Sequence, residues 1–176
     1  MIKADEKIGN KAYRLAKEYE QKYTGCCQTT IAGIFDALNI ENDDLFRAGS
    51  GLADGLGLTR NGTCGTLIGG SMVISYLFGR RHDDFIDMMK PMKSYLLCKK
   101  LHDSFLKIYN TIRCQDIQKS LMGQSFNLLE KKEFEQAMSF GMFGYCSEIA
   151  GNVAKLTCLI ILEERRNRCP MSFGYS

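Results

Sequence analysis

The 176-residue sequence contains no tryptophan, two prolines and two histidines, and these shortages exclude several kinds of site. His82 and His102 lie in the polar stretches "RRHDD" and "KKLHD", which are typical of surface histidines rather than metal ligands. No two cysteines have C-x-x-C spacing, so zinc ribbons, thioredoxin-like motifs, ferredoxin runs and c-type haem attachment lack support. No Ser-His-Asp signature stands out, and "GSGLADG" lacks the lysine and the serine or threonine of a phosphate-binding loop.

Long apolar runs and a strong net charge are missing as well. The longest uninterrupted apolar run lies near "CLIIL", far short of the roughly 20 residues that span a bilayer. The segment "MIKADEKIGNKAYRLAKEYE" lacks the apolar centre of a signal peptide. Lysine and arginine number 23 against 20 acidic residues, and a net charge of +3 gives no argument for nucleic acid or a membrane surface. We therefore expect a cytoplasmic protein that binds neither.

Helical periodicity runs through most of the sequence, and 45% of the residues are hydrophobic. These features predict one all-α domain over residues 1–176, a multi-helix bundle, with residues 169–176 as a loose C-terminal tail. Asp43 or Asp44 would cap the third helix, and Pro91 would start or kink the fifth. The expected helices cover residues 5–23, 25–38, 42–54, 64–78, 83–112, 114–121, 127–138 and 145–165.

The sequence has eight cysteines, and disulfides are rare in the cytoplasm. The cysteines therefore indicate buried thiols, metal ligands, redox chemistry or a mixture. Cys27 and Cys98 lie on apolar helix faces and fit core packing. No chemistry is assigned to Cys98, Cys158 or Cys169. Cys26 differs from its neighbour because its helix face carries only small residues, which would let a backbone or a compact cofactor approach; these are Thr29, Thr30, Gly33 and Ala37.

Cys64 follows the glycine-rich loop 55–63 and lies in "NGTCGTLIGG", at the predicted start of a helix. The positive end of a helix dipole lowers a thiol pKa, so we expect Cys64 to titrate below about 8.5 in metal-free protein. Gly62 and Gly65 would keep the approach to this thiol open. The alternative is that the glycines serve helix packing alone.

Four cysteines fall in a pattern that resembles the C-GCAxxG-C-C family of redox-active proteins, known mainly from anaerobic bacteria and archaea. The resemblance covers residues 24–165 and rests on four segments: "CCQTTIAGIFDALNI", "GTCGTLIGGSMVISYLFGR", "RCQDI" and "YCSEIAGNVAKLTCLIILEE". Thr66 stands where the family commonly has alanine. Either Cys26 or Cys27 could match the first family cysteine, and the small face and the alignment favour Cys26.

The resemblance implies a redox function. The family is similar to part of the split-Soret cytochromes, which carry haem and an iron–sulfur centre, and only the iron–sulfur part could carry over because the haem motif is absent. It implies an electron-transfer module with a [2Fe–2S] or [4Fe–4S] cluster beside Gly62 and Gly65, on the ligands Cys26, Cys64, Cys114 and Cys146. The sulfurs would then converge to within roughly 7 Å of one another.

Two other interpretations stay open. One is a metal-free dithiol protein in which Cys64 and a partner thiol exchange electrons as a disulfide. The other is a structural zinc site or a helical interaction module. Any enzymatic role would be that of an oxidoreductase component. The expected partner is an electron donor or acceptor protein, and a homodimer is one candidate assembly.

Overall fold

The computed structural model describes residues 2–168, which form eight α-helices and no β-strand. The all-α prediction is confirmed, and the predicted tail and Cys169 lie outside the described residues. The helices are α1 (Ile2–Tyr23), α2 (Cys26–Leu38), α3 (Asp43–Ala48), α4 (Gly65–Phe78), α5 (Met92–Tyr109), α6 (Cys114–Met122), α7 (Lys131–Phe140) and α8 (Met142–Arg168).

The structure corrects several of the expected helix boundaries. Asn42, rather than Asp43 or Asp44, caps α3, because its side chain accepts a hydrogen bond of 2.8 Å from the backbone of Leu45. Pro91 marks the start of α5, and the preceding residues form only a short 3-10 turn and bends. Helix α8 begins three residues earlier than expected.

The main core, as we call it, is built by α1, α2, α4, α5 and α8 together with Ile117 of α6. Its largest fully buried side chains include Phe105, Ile31 and Ile34. Two glycines bring its helices close together. A Cβ at Gly33 would lie 2.6 Å from the backbone nitrogen of Ala16 in α1, and one at Gly69 would lie 2.5 Å from a carbonyl oxygen of α2. The small face of α2 therefore serves helix packing against α1.

Polar contacts on the surface join α1 to α8. Glu148 accepts hydrogen bonds from Tyr13 and Lys17 of α1. Elsewhere between the two helices, Lys155 Nζ of α8 lies 3.1 Å from Glu6 Oε2 of α1. These exposed contacts add little energy each, but they fix how the two helices are aligned.

A second set of buried side chains lies apart from the main core. We call it the small cluster; its buried members are Met122, Phe126, Ala137 and Met142, with Leu128 and Cys146 packed against it. It is supplied by α6, α7, the loop between them and the first turns of α8. Helices α6 and α7 end at Gly123 and Gly141, both left-handed with φ of 76° and 79°. The chain thus turns sharply at each end of this segment.

One helix of the described chain is long and apolar enough to cross a membrane, over residues Met142–Asn167. In the apolar 18-residue window of that helix, 56% is buried inside the protein. Its apolar residues pack against α1, α2 and α4, as those of a core helix do.

Candidate functional site

One cavity of about 210 Å³ lies where the main core meets the small cluster, and four cysteines line it: Cys26, Cys64, Cys114 and Cys146. Cys26 lies in α2, Cys114 in α6 and Cys146 in α8, and Cys64 directly precedes α4. Together they span 120 positions of the chain. The structure thus brings together all four cysteines that the sequence singled out. The remaining lining is largely apolar.

A short antiparallel bridge between Thr63 and Arg113 holds two of the cysteines next to each other. The backbone of Cys64 donates a hydrogen bond of 2.8 Å to Ile112, and that of Cys114 donates one of 3.0 Å to Gly62. Residues that flank a bridged pair project to the same face of the two strands. The bridge therefore directs both thiols towards the same side, and a helix begins directly after each.

Cys64 is the N-cap residue of α4, as the glycine-rich corner predicted. The backbone N–H groups of Thr66 and Leu67 face its sulfur and lower its pKa, and Thr66 Oγ1 lies 3.2 Å away. The thiol is only 5% exposed, however, and burial raises its pKa by more than these contacts lower it. The expectation of a pKa below the ordinary value is therefore wrong.

Cys26 is the first residue of α2 and lies against the residue after Cys64. A Cβ on Gly65 would stand 2.5 Å from Cys26 Sγ, closer than real contacts allow. The backbone N–H of Asp54 lies 3.5 Å from the same sulfur. Gly65 thus leaves the space that this thiol occupies. Gly62 instead packs against the loop backbone, since its Cβ would lie 2.6 Å from the carbonyl oxygen of Gly55.

Cys114 and Cys146 complete the lining. Cys114, the first residue of α6, donates a hydrogen bond of 3.1 Å to Asp54 Oδ1, and Gln118 Nε2 lies 3.4 Å from its sulfur. Cys146 was expected at the start of the last helix, but the earlier start of α8 places it in the second turn. It packs against the small cluster, whereas Cys64 belongs to the main core.

Comparison with known proteins assigns this cysteine arrangement to a family. The sequence model described as "Putative redox-active protein (C_GCAxxG_C_C)" matches residues 23–160. The chain belongs to this family. No curated protein and no solved structure shows significant similarity to the chain.

The adjacent cysteines Cys26 and Cys27 lie in two different environments. Cys26 lines the cavity, while Cys27 is fully buried in the main core with its sulfur 3.9 Å from that of Met72. Adjacent residues of a helix point about 100° apart, so one side chain must turn away when the other faces the cavity. Thr66, at the position where we noted alanine as common, adds a hydroxyl beside Cys64.

Burial dominates the electrostatics of the four cavity thiols. It raises the pKa of Cys26 and of Cys146 well above the ordinary value, and it raises that of Cys114 as well. Cys64 raises the pKa of each of the other three, because a charge on one sulfur disfavours a charge on its neighbours. Without a metal, the four groups are therefore neutral thiols at neutral pH.

Two buried carboxyl groups that the sequence analysis missed also line the cavity. Glu20 is 3% exposed, and burial raises its pKa to about 7, although Thr29 donates a hydrogen bond of 2.6 Å to it. Asp54 is 5% exposed. A signal for Glu20 does exist in the sequence, because it continues the four-residue spacing of the buried Ala12 and Ala16. Asp54 lies in an irregular loop and carries no such pattern.

The other described cysteines lie elsewhere. Cys158 is fully buried in the main core, and Cys98 is half-buried at an open groove between α4 and α5, with its sulfur 3.6 Å from the carbonyl oxygen of Ser71. All seven cysteines in residues 2–168 are free thiols. Within the same residues, no three His, Cys, Asp or Glu side chains lie close enough together to hold one metal ion.

Proposed function

We propose that this protein is an electron-transfer module that holds an iron–sulfur cluster on Cys26, Cys64, Cys114 and Cys146. The observation that supports the proposal is the meeting of these four buried thiols around one cavity of about 210 Å³. Thiolate sulfur is the usual protein ligand of such clusters. Membership of a redox-active family points in the same direction.

The dimensions of the site favour a cluster over a single zinc ion. Tetrahedral zinc with Zn–S bonds of about 2.3 Å requires sulfurs only ~3.8 Å apart. No three donor side chains among residues 2–168 lie close enough together to hold one metal ion, whereas four cysteines line one cavity. A group of several metal atoms, [2Fe–2S] or [4Fe–4S], suits such an arrangement better.

The surroundings of the sulfurs suit bound thiolates. Metal binding requires deprotonated sulfur, so four neutral thiols would release their protons as the site is filled. Backbone N–H groups then face the sulfurs of Cys64 and Cys26, and the amide of Gln118 faces that of Cys114. Such contacts compensate thiolate charge and tune the potential of a cluster.

When bound, the cluster would accept one electron and pass it on. The chain itself would exclude water, since Cys64 and Cys114 are 5% and 7% exposed and most of the lining is apolar. The electron donor and acceptor are proposed to be other proteins. The cytoplasmic location and the homodimer stay predictions from the sequence.

The test is anaerobic reconstitution of the reduced protein with ferrous iron and sulfide, followed by measurement of iron, acid-labile sulfide and visible absorbance. Two buried cysteines give a matched pair of variants. We expect Cys158→Ser to retain iron and sulfide as the wild type does, and Cys114→Ser to lose most of both.

Three results would contradict the proposal. The first is iron retained by Cys114→Ser and lost from Cys158→Ser. The second is tight zinc binding without sulfide, which would indicate the structural zinc site. The third is reversible loss of thiols in pairs on oxidation without any metal, which would indicate the dithiol protein.

A further inference from the structure

We propose that two copies of this chain form a two-fold symmetric dimer through an apolar patch between α4 and the first turns of α5. The apolar patch, as we call it, consists of six side chains: Phe85, Ile86, Met88, Met89, Tyr95 and Leu96. A second copy of the same patch is the occupant. This inference goes beyond the proposed electron transfer and does not depend on it.

The six side chains of the apolar patch are unusually exposed, by 59–94%. Among the other large hydrophobic residues of the described chain, only Tyr23 and Leu129 reach the same exposure, at 63% and 69%. Single exposed hydrophobic residues are normal on a soluble protein, whereas a concentration of them marks an interaction site. The patch, within twelve consecutive residues, is such a concentration.

The backbone of the segment before α5 is fixed by its own hydrogen bonds. Asp87 Oδ1 accepts hydrogen bonds of 2.8 Å and 3.2 Å from the backbone N–H groups of Met89 and Lys90. Arg80 donates one of 3.1 Å to the carbonyl oxygen of Asp87, and its guanidinium lies 4.6 Å from the centre of the Phe85 ring. The apolar side chains are thus presented on a defined turn, which lowers the entropy cost of forming an interface.

The area of the apolar patch matches what one subunit contributes to a stable dimer. At roughly 200 Å² for a large side chain, the six residues together expose on the order of 800 Å². The largest apolar patch of a typical monomer covers about 300–600 Å². A standard interface buries about 800 Å² on each partner. The patch is therefore larger than a monomer needs and large enough for a dimer.

The charged side chains around the apolar patch are paired within the chain. Lys90 lies 3.6 Å from Asp84, and Arg81 lies 3.3 Å from Asp83. Lys93 of α5 forms an ion pair with Glu164 of α8. An anionic membrane surface attracts a cluster of unpaired lysine and arginine residues, so these pairs argue against it.

Paired charges also make the patch compatible with a copy of itself. In a two-fold symmetric interface the same surface of each copy faces the other, so an excess of one charge would repel. Acidic and basic residues alternate here instead, and each copy supplies the neutral apolar surface that the other needs. Of the candidate occupants, a second copy is the one that the area and the charges both favour.

The position of the patch leaves the cysteine cavity free. Cys64 directly precedes α4, whereas the patch follows the other end of this 14-residue helix, which is about 20 Å long. Both cavities of a dimer would stay accessible to an electron donor or acceptor. Dimerisation would therefore join two modules without blocking either.

The experiment is sedimentation velocity of the metal-free, reduced protein over a range of concentrations. Met89 and Leu129 give a matched pair of variants, because they are 71% and 69% exposed and only Met89 belongs to the patch. Met89→Glu places a carboxylate in the proposed interface, and Leu129→Glu places one on a surface outside it. Met89→Lys repeats the test with the opposite charge.

We expect the wild type and Leu129→Glu to form the same dimer. Met89→Glu and Met89→Lys should each raise the dissociation constant at least about tenfold, because each buries an unpaired charge from both copies. Hydrogen exchange of residues 85–96 should be slower in concentrated than in dilute wild type and independent of concentration in Met89→Glu. Circular dichroism checks that each variant retains its helices.

A wild type that stays monomeric at every concentration would overturn the proposal. A dimer that Met89→Glu and Leu129→Glu leave equally stable would overturn it as well, because another face would then form the interface. So would a monomer that binds phosphatidylserine vesicles, more tightly as Met89→Lys, which would make the patch a lipid-binding surface. Failure of iron uptake would refute the proposed function alone, because the dimer is measured without metal.

Discussion

The two sides of the cavity are built differently. On one side, the main core holds Cys64 with five helices, glycine contacts and fully buried aliphatic side chains. On the other side, the small cluster holds Cys146 with only four buried residues, and the chain passes through two left-handed glycines, Gly123 and Gly141, within it. From this difference in burial we expect the wall built by the small cluster to open more easily than the wall built by the main core.

Replacing one buried phenylalanine by alanine on each side gives the largest expected difference in the free energy of unfolding. Phe105 is fully buried in the main core, and Phe126 is 3% exposed in the small cluster. Phe105→Ala should lower the free energy of unfolding by about 3–5 kcal/mol, measured by urea denaturation. Phe126→Ala should lower it less, because the small cluster can open locally, but should speed alkylation of Cys114 and Cys146 in metal-free protein.

Mass spectrometry of the alkylated protein gives the labelling rate of each cysteine. Cys158 is the internal control, because it lies fully buried in the main core and should stay slow in Phe126→Ala. Equal losses of stability in the two variants, with unchanged labelling of Cys146, would show that the two sides form one cooperative unit.

The pH dependence of the free energy of unfolding reports the contribution of the buried Glu20 carboxyl group. Glu20 has a folded pKa of about 7, above its ordinary value of 4.5. Below pH 4.5 both folded and unfolded forms are protonated, and between pH 4.5 and 7 only the unfolded form ionises, so stability falls as pH rises. Glu20→Gln removes this loss and should be more stable than wild type above pH 7, by up to about 3 kcal/mol.

The comparison uses urea denaturation of both metal-free proteins at pH 4.5 and pH 8. The difference between the two proteins should grow with pH across this window. A constant difference would mean that Glu20 is ionised in the folded protein and that its burial is compensated.

A glycine pair gives the smallest expected effect. Gly65→Ala places a methyl group 2.5 Å from Cys26 Sγ and 2.8 Å from the carbonyl oxygen of Leu52. We expect it to lower the free energy of unfolding by about 1–3 kcal/mol and to weaken iron uptake. Gly144→Ala meets nothing within 4 Å in the first turn of α8 and should be neutral or slightly stabilising. Equal unfolding midpoints for the two variants would show that Cys26 moves freely.

The fold was predictable from the sequence because its signals are local. Apolar spacing located the helices, and Pro91 marked the start of α5. Cap assignment failed at Asn42, since three neighbouring residues could all serve as caps and only the backbone conformation selects one.

The site was predictable only in part. The four cysteines could be selected from a family pattern, but the pKa of Cys64 depends on burial by distant segments, which spacing does not reveal. Asp54 was missed because its place in the cavity wall depends on a left-handed loop residue and on contacts with Cys114 and Gln118, 60 positions or more away. Glu20 was also missed, but its burial could have been predicted, because it continues the four-residue spacing of Ala12 and Ala16 on the buried face of α1.

The packing of α1 against α8 has a consequence for how the protein is made. The 118 residues between Tyr23 and Met142 must be synthesised before α8 begins. At about 5–20 residues per second, α1 waits roughly ten seconds for the helix that covers it. Cys26, Cys64 and Cys114 are made one after another during that interval, and each lacks Cys146 and the side of the enclosure that α8 supplies, so the nascent chain exposes thiols that the finished protein buries. Reducing conditions, or a chaperone that covers α1 until α8 arrives, would protect the chain over this period.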